Sequence, residues 1–81
     1  MNLRSMPPLS ALRAFEAYAS FGSLQKAGDA LSVSHAAISQ QIRNLETHLN
    51  VALLDRSGRQ AQLTDDGLAL AAELKRGFEA I

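Results

Sequence analysis

Apolar residues fall at helical spacing through most of the chain, and the clearest run is in the middle. Ile38, Ile42, Leu45 and Leu49 recur at steps of four, three and four, which puts them on one stripe of an amphipathic helix. Ser34 is its expected N-cap, with Val33 and Ile38 at the two positions of a hydrophobic staple. At about 100° per residue the opposite side carries Ala36, Gln40, Arg43 and Thr47, with His35 and Ser39 on the flank. The same spacing predicts an earlier helix in ALRAFEAYAS, with Leu12, Phe15 and Ala19 as its stripe and Ser10 as its cap. Pro7 and Pro8 end an extended arm ahead of it. Gly22 and Ser23 break and restart the chain. A short helix, LQKAGDAL, then presents a small apolar face of Leu24, Ala27, Gly28 and Leu31. Gly28 costs about 1 kcal/mol against alanine in a helix interior, which points to close approach of another helix there.

Only Ser32, Val33 and Ser34 separate the second and third helices, a corner as sharp as that of a helix-turn-helix. After Asn50 the pattern shifts. VALLDRSGRQAQLT reads as a two-stranded hairpin, or wing, turning around Ser57 and Gly58. Thr64 then caps a last helix, Leu63 and Leu68 repeat the staple spacing, and Asp65 and Asp66 suit the positive end of its dipole. Ala71, Leu74, Phe78 and Ile81 form its apolar stripe, either packed on its own domain or pairing with another chain. The expected fold is mainly α: a winged helix-turn-helix over residues 1–63, with a linker and dimerisation helix over 64–81. That helix reaches the last residue without a C-cap signal, so a longer protein is expected.

Composition narrows the function classes. With 81 residues, 47% hydrophobic and 20% charged, the chain can build one small core and not two. The absence of cysteine removes disulfides, thiolate metal sites and cysteine nucleophiles. No apolar run approaches a membrane span and the start lacks a secretory signal, so a cytoplasmic protein is expected. Eight basic and eight acidic side chains cancel, which argues against indiscriminate coating of nucleic acid while leaving room for a reader with a few placed cations.

The order of helix, corner, helix and ribbon points to insertion of the third helix into a DNA major groove. Gln40 can pair with adenine through two hydrogen bonds, and Arg43 can reach guanine or phosphate. His35 and Ser39 can bond base edges or backbone, Ala36 and Ala37 leave room for approach, and the helix start at Ser34 offers N–H groups to a phosphate. Arg56 and Arg59 bracket the wing tip, where a cation can enter a minor groove. Each also has a plainer reading. His35 and Ser39 can be solvated, Arg43 can pair with Glu46, and Arg56 can bridge to Asp55 or Asp66. An enzyme is not expected. His35 and His48 lie thirteen residues apart on one helix, no glycine-rich phosphate loop is present, and neither a cofactor nor a metal site is indicated. The rival is a winged helix that binds another protein and no DNA, which zero net charge would suit.

From about Pro8 to Ile81 the chain resembles the N-terminal DNA-binding domain of LysR-type transcriptional regulators. LRAFEA, SLQKAGDALSVS, AISQQIRNLETHL, LLDRSGR and LTDDG carry the resemblance in order. It implies a bacterial winged helix-turn-helix that dimerises through the last helix, commonly assembles further into a tetramer, and binds double-stranded promoter DNA at imperfect inverted repeats. It implies DNA contacts by His35, Ala36, Ser39, Gln40 and Arg43, a wing contact by Arg59, wing support by Arg56, and backbone contacts by Ser23 and Lys26. A small-molecule effector would act only through a further sensing domain. The chain departs from the family pattern at Gly28 (usually alanine), Asn50 (usually glycine) and Leu54 (usually phenylalanine), the last predicting looser wing packing. PPLSALRAFEAYAS and HLNVALL are similar to the subgroup that regulates β-lactamase or glycine-cleavage genes.

Overall fold

The computed structural model describes residues 7–80. The arm expected before Pro7 and the last stripe residue, Ile81, lie outside them. The elements run α1 (Leu9–Phe21), α2 (Leu24–Leu31), α3 (His35–Leu49), β1 (Leu54–Asp55), β2 (Gln62–Leu63) and α4 (Asp65–Glu79). This is the expected winged helix-turn-helix, mainly helical, with a small antiparallel ribbon pairing Leu54 with Leu63 and Asp55 with Gln62.

Helix α1 starts two residues earlier than its sequence suggests. Pro8 occupies the N-cap position with no side-chain cap bond, and its carbonyl accepts from Ala11 N–H at 3.0 Å. Proline needs no N–H there and its φ of −56° is already set for entry, so Ser10 falls inside the helix instead of capping it. The buried face is also wider than a single stripe. Ala11, Ala14, Phe15, Ala17 and Tyr18 are buried, while Leu12 and Ala19 are half-buried. The cause is that α1 touches α2, α3 and α4, and its alanines let those neighbours come close on several sides.

The other caps fall where the sequence puts them. Ser23, Ser34 and Thr64 accept from Lys26, Ala37 and Gly67 N–H respectively. Gly22 takes a left-handed φ of 84° and Asn50 one of 56°, so asparagine closes α3 in the conformation that glycine most often supplies. Ser32 is also left-handed, at φ 60°, which the sequence did not announce.

The core joins the α1 face to Ala27 of α2, Ile38, Ile42 and Leu45 of α3, and Leu53 and Leu54 at the wing's entry. Leu54 is buried, so the residue expected to loosen the wing sits inside the core. Leu49, placed in the α3 stripe by its spacing, is 37% exposed: the last turn of α3 runs past the core before Asn50 ends it. Of the two staples, Ile38 is buried but Val33 is 46% exposed, and Leu68 is 56% exposed.

Two glycines fix how the elements meet. A Cβ on Gly28 would lie 2.6 Å from Val33 O and 3.2 Å from His35 N. The expected close approach is therefore real, but the neighbour is the backbone of the corner and the first residue of α3, not the side of a helix. Gly67, buried in the first turn of α4, is pressed as closely: a Cβ there would overlap the Leu53 carbonyl. Thr64 reinforces that junction by donating its hydroxyl to Ala52 O at 2.7 Å.

Candidate nucleic-acid interface

Helix α3 is held from one side and open on the other. Ile38, Ile42 and Leu45 anchor it. Ser34, His35, Ala36, Gln40 and Arg43 are exposed and Ser39 is half-buried. Ser34 Oγ accepts from Ala37 N–H at 3.1 Å, and its own hydroxyl hydrogen can still be donated. The N–H groups of His35 and Ala36 precede that bond, where a helix start favours an anion.

Three elements meet on this side. Ser23 at the start of α2, Ser39 and Arg43 on α3, and Arg56 and Gln60 on the wing line one open cleft floored by Tyr18 and Leu54. Ser23 caps α2 by accepting from Lys26 N–H at 3.0 Å, and the Lys26 side chain is exposed. The structure thus brings Ser23, Ser39, Arg43 and Arg56 together. Arg59 stands apart, exposed in the wing tip.

The ion pairs sort the arginines. Glu46 is the hub: its carboxylate accepts from Arg56 Nη2 at 3.0 Å and Nη1 at 3.3 Å. It also accepts from the N–H groups of Leu53 at 2.8 Å and Leu54 at 3.2 Å. Burial pushes the Glu46 carboxyl up, but Arg56 and the two backbone N–H groups outweigh it and hold the group below its ordinary value. Arg56 therefore bridges to Glu46, not to Asp55 or Asp66. Asp55 instead accepts from the Ser57 hydroxyl at 2.6 Å and the Ser57 N–H at 2.9 Å, bonds that lower its pKa and shape the wing tip as an Asx turn. With Glu46 engaged, Arg43 is not its partner. Among the described residues, Lys26, Arg43 and Arg59 enter no ion pair.

Four contributors escaped the sequence reading. Glu46 was offered only as a partner for Arg43; its role as a hub was missed because its partners lie seven to ten residues away across the wing. Tyr18 donates its hydroxyl to Ala61 O at 3.2 Å and ties the wing loop to α1. Asn44 accepts from Gln40 Nε2 at 2.9 Å, an i, i+4 pair that spacing alone could have suggested. Gly67 could have been flagged by the reasoning applied to Gly28, since it too sits in a helix. The wing itself is smaller than expected: its strands have two residues each, and the loop between them runs from Arg56 to Ala61.

On the apolar stripe of α4, Ala71 and Leu74 pack against the core of their own chain. Phe78 is half-buried and shares a hollow with Phe21, Ala17 and Leu31.

A helix-turn-helix with a ribbon beside an exposed, cation-bearing second helix defines the winged helix-turn-helix class. The profile of bacterial regulatory helix-turn-helix proteins of the lysR family matches residues 9–68. The chain belongs to that family. It is 50% identical over 81 residues to the AhcY transcriptional activator HvrB of Rhodobacter capsulatus, covering 100% of this chain and 28% of that protein. A carbapenem-hydrolyzing beta-lactamase transcriptional activator of Enterobacter cloacae is 48% identical over 77 residues, covering 95% of this chain and 26% of that protein. The chain thus spans about a quarter of the length of these relatives. The crystal structure of the BenM DNA-binding domain with catB site 1 DNA superposes with a TM-score of 0.81 at 32% identity, covering 90% of this chain and 81% of that one.

Proposed function

We propose that this chain binds double-stranded DNA sequence-specifically, as the reading domain of a bacterial transcriptional regulator acting at promoters. The observation that supports this most is the cleft where α2, α3 and the wing converge, with Arg43 in no ion pair at its edge. A surface cation left unpaired beside polar side chains suits a phosphate or a guanine edge. In this reading the first turns of α3, from Ser34 to Arg43, enter the major groove. His35, Ala36, Ser39 and Gln40 face base edges or the adjacent phosphates. Ser23 and Lys26 meet the DNA backbone, and Arg59 reaches the flanking minor groove. Arg56 acts through Glu46 by holding the wing at a fixed distance from α3. The solved BenM complex with DNA lends the reading a precedent within the family.

The chain is assigned to the cytoplasm and to a homodimer, with tetramers in a longer form that carries an effector-sensing domain. Among the described residues no helix is long and apolar enough to cross a membrane. Pairing is assigned to residues 64–81, the linker helix, through Ala71, Leu74, Phe78 and Ile81. Because Ala71 and Leu74 also cover the core, Phe78→Glu is the better test. It should give monomers by analytical ultracentrifugation with the helical circular dichroism retained; dimers would overturn the assignment.

DNA binding is tested by a mobility-shift titration of the fragment upstream of the chain's own gene at two salt concentrations. Affinity should fall as salt rises, and Arg59→Ala should lower the slope by about one. Gln40→Ala should instead lose about 1–3 kcal/mol of discrimination at one base pair of each half-site. The absence of any salt-dependent affinity for the fragment would favour the protein-binding alternative.

A further inference from the structure

Gln40 does not present a bare amide. One of its two Nε2 hydrogens is donated to Asn44 Oδ1 at 2.9 Å, one helical turn further on, and both residues are exposed on the outer side of α3. A glutamine amide has two donors and one acceptor, so an unheld side chain can read two different bases. Offering its carbonyl oxygen with one N–H, it matches the N6–H donor and N7 acceptor of adenine. Offering both N–H groups, it matches the O6 and N7 acceptors of guanine. Asn44 takes one N–H away. What remains is one donor and one acceptor, the complement of adenine and a poor fit to guanine. We propose that Asn44 is a positioning residue that makes Gln40 a reader of adenine and closes its guanine-reading mode.

The inference rests on α3 entering the major groove as proposed above. It assigns a specificity role to a side chain that need not touch DNA. Asn44 can act in this way because α3 is firmly seated: Ile42 and Leu45 on either side of its turn are buried, so the Gln40–Asn44 spacing does not drift. A helix-surface pair with no part in reading would change stability and leave base preference alone.

The test is selection from a library of randomised duplexes by the full chain, followed by competition binding of duplexes that carry A·T or G·C at the position where Gln40→Ala loses preference. Asn44→Leu, which has no acceptor, should lower the adenine-over-guanine ratio there by about two- to tenfold with unchanged circular dichroism. Asn44→Asp keeps the acceptor, so it should retain the ratio while its added negative charge weakens all duplexes alike. In the Gln40→Ala background Asn44→Leu should change the ratio no further. The proposal is overturned if Asn44→Leu leaves the ratio intact while Gln40→Ala does not, or if Asn44→Leu acts equally in the Gln40→Ala background. A Gln40→Ala variant with wild-type preference overturns it too, without touching DNA binding. Enrichment of no sequence by the wild-type chain overturns both readings.

Discussion

The corner between α2 and α3 and the wing after α3 flank the same exposed helix, but they are held in place by different physics. At the corner, backbone lies against backbone. Gly28 meets Val33 O and His35 N, Val33 N–H donates to Gly28 O at 2.9 Å, and a left-handed Ser32 completes the turn. The wing has only two residues in each strand. It hangs from side chains: Glu46 to Leu53, Leu54 and Arg56, Tyr18 to Ala61, Thr64 to Ala52. Steric contact gives the corner a single geometry. Side-chain bonds give the wing a position that single substitutions and protons can alter, and that position sets where Arg59 stands relative to α3.

The comparison can be broken first at the corner. Gly28→Ala gains helix propensity but drives a methyl into backbone that cannot step aside, for a net cost of about 3 kcal/mol. Thermal denaturation should show a fall in Tm of roughly 10–20 °C; a neutral or stabilised variant would mean that the corner yields. Next is the hub of the wing. Glu46→Ala strands two N–H groups and a guanidinium, at a cost of about 2 kcal/mol by urea denaturation. In a mobility shift, Glu46→Ala should also make Arg59→Ala less damaging than it is in the wild type, since a loose wing has less of its contact to lose. Tyr18→Phe removes one bond and no packing, so a smaller cost of about 1 kcal/mol is expected by the same denaturation.

The mildest probe is pH. The folded-state pKa of Glu46 is lowered from an ordinary 4.5, so its contribution is present in full above that value and is lost as pH falls through the lower folded value. The stability difference between wild type and Glu46→Gln should therefore shrink in acid urea titrations below about pH 4.5. Asp55 is lowered as well, but it is common to both proteins and cancels. A difference that grew in acid would contradict the clamp.

Much of the scaffold was legible from the order of residues because its causes are local. Ser23, Ser34 and Thr64 cap helices within three residues of themselves, and Ile38, Ile42 and Leu45 recur at a helical period. What escaped depends on contacts between distant segments. Tyr18 finds Ala61 forty-three residues on, and Glu46 serves a ribbon beyond the end of its own helix. The stripe on α3 was extended one step too far to Leu49 because periodicity registers the helix but not the extent of the core beneath it. Among the candidate contacts, spacing placed Gln40 and Arg43 on the outer side correctly. It offered Asp55 or Asp66 as the partner of Arg56, whereas the path of the wing brings the guanidinium to Glu46.

The central claim, that the outer side of α3 and the wing tip address different grooves, is tested most directly by tethered cleavage. The chain has no cysteine, so a single one at exposed Thr47 on α3, or at Gly58 in the wing tip, where a Cβ meets nothing nearer than Gln60 O at 3.9 Å, can carry an iron chelate. Hydroxyl-radical cutting of a bound duplex should map the Thr47→Cys probe to the major groove within each half-site and the Gly58→Cys probe to the flanking minor groove. The same cutting pattern from both probes, or cutting spread evenly along the duplex, would contradict the account.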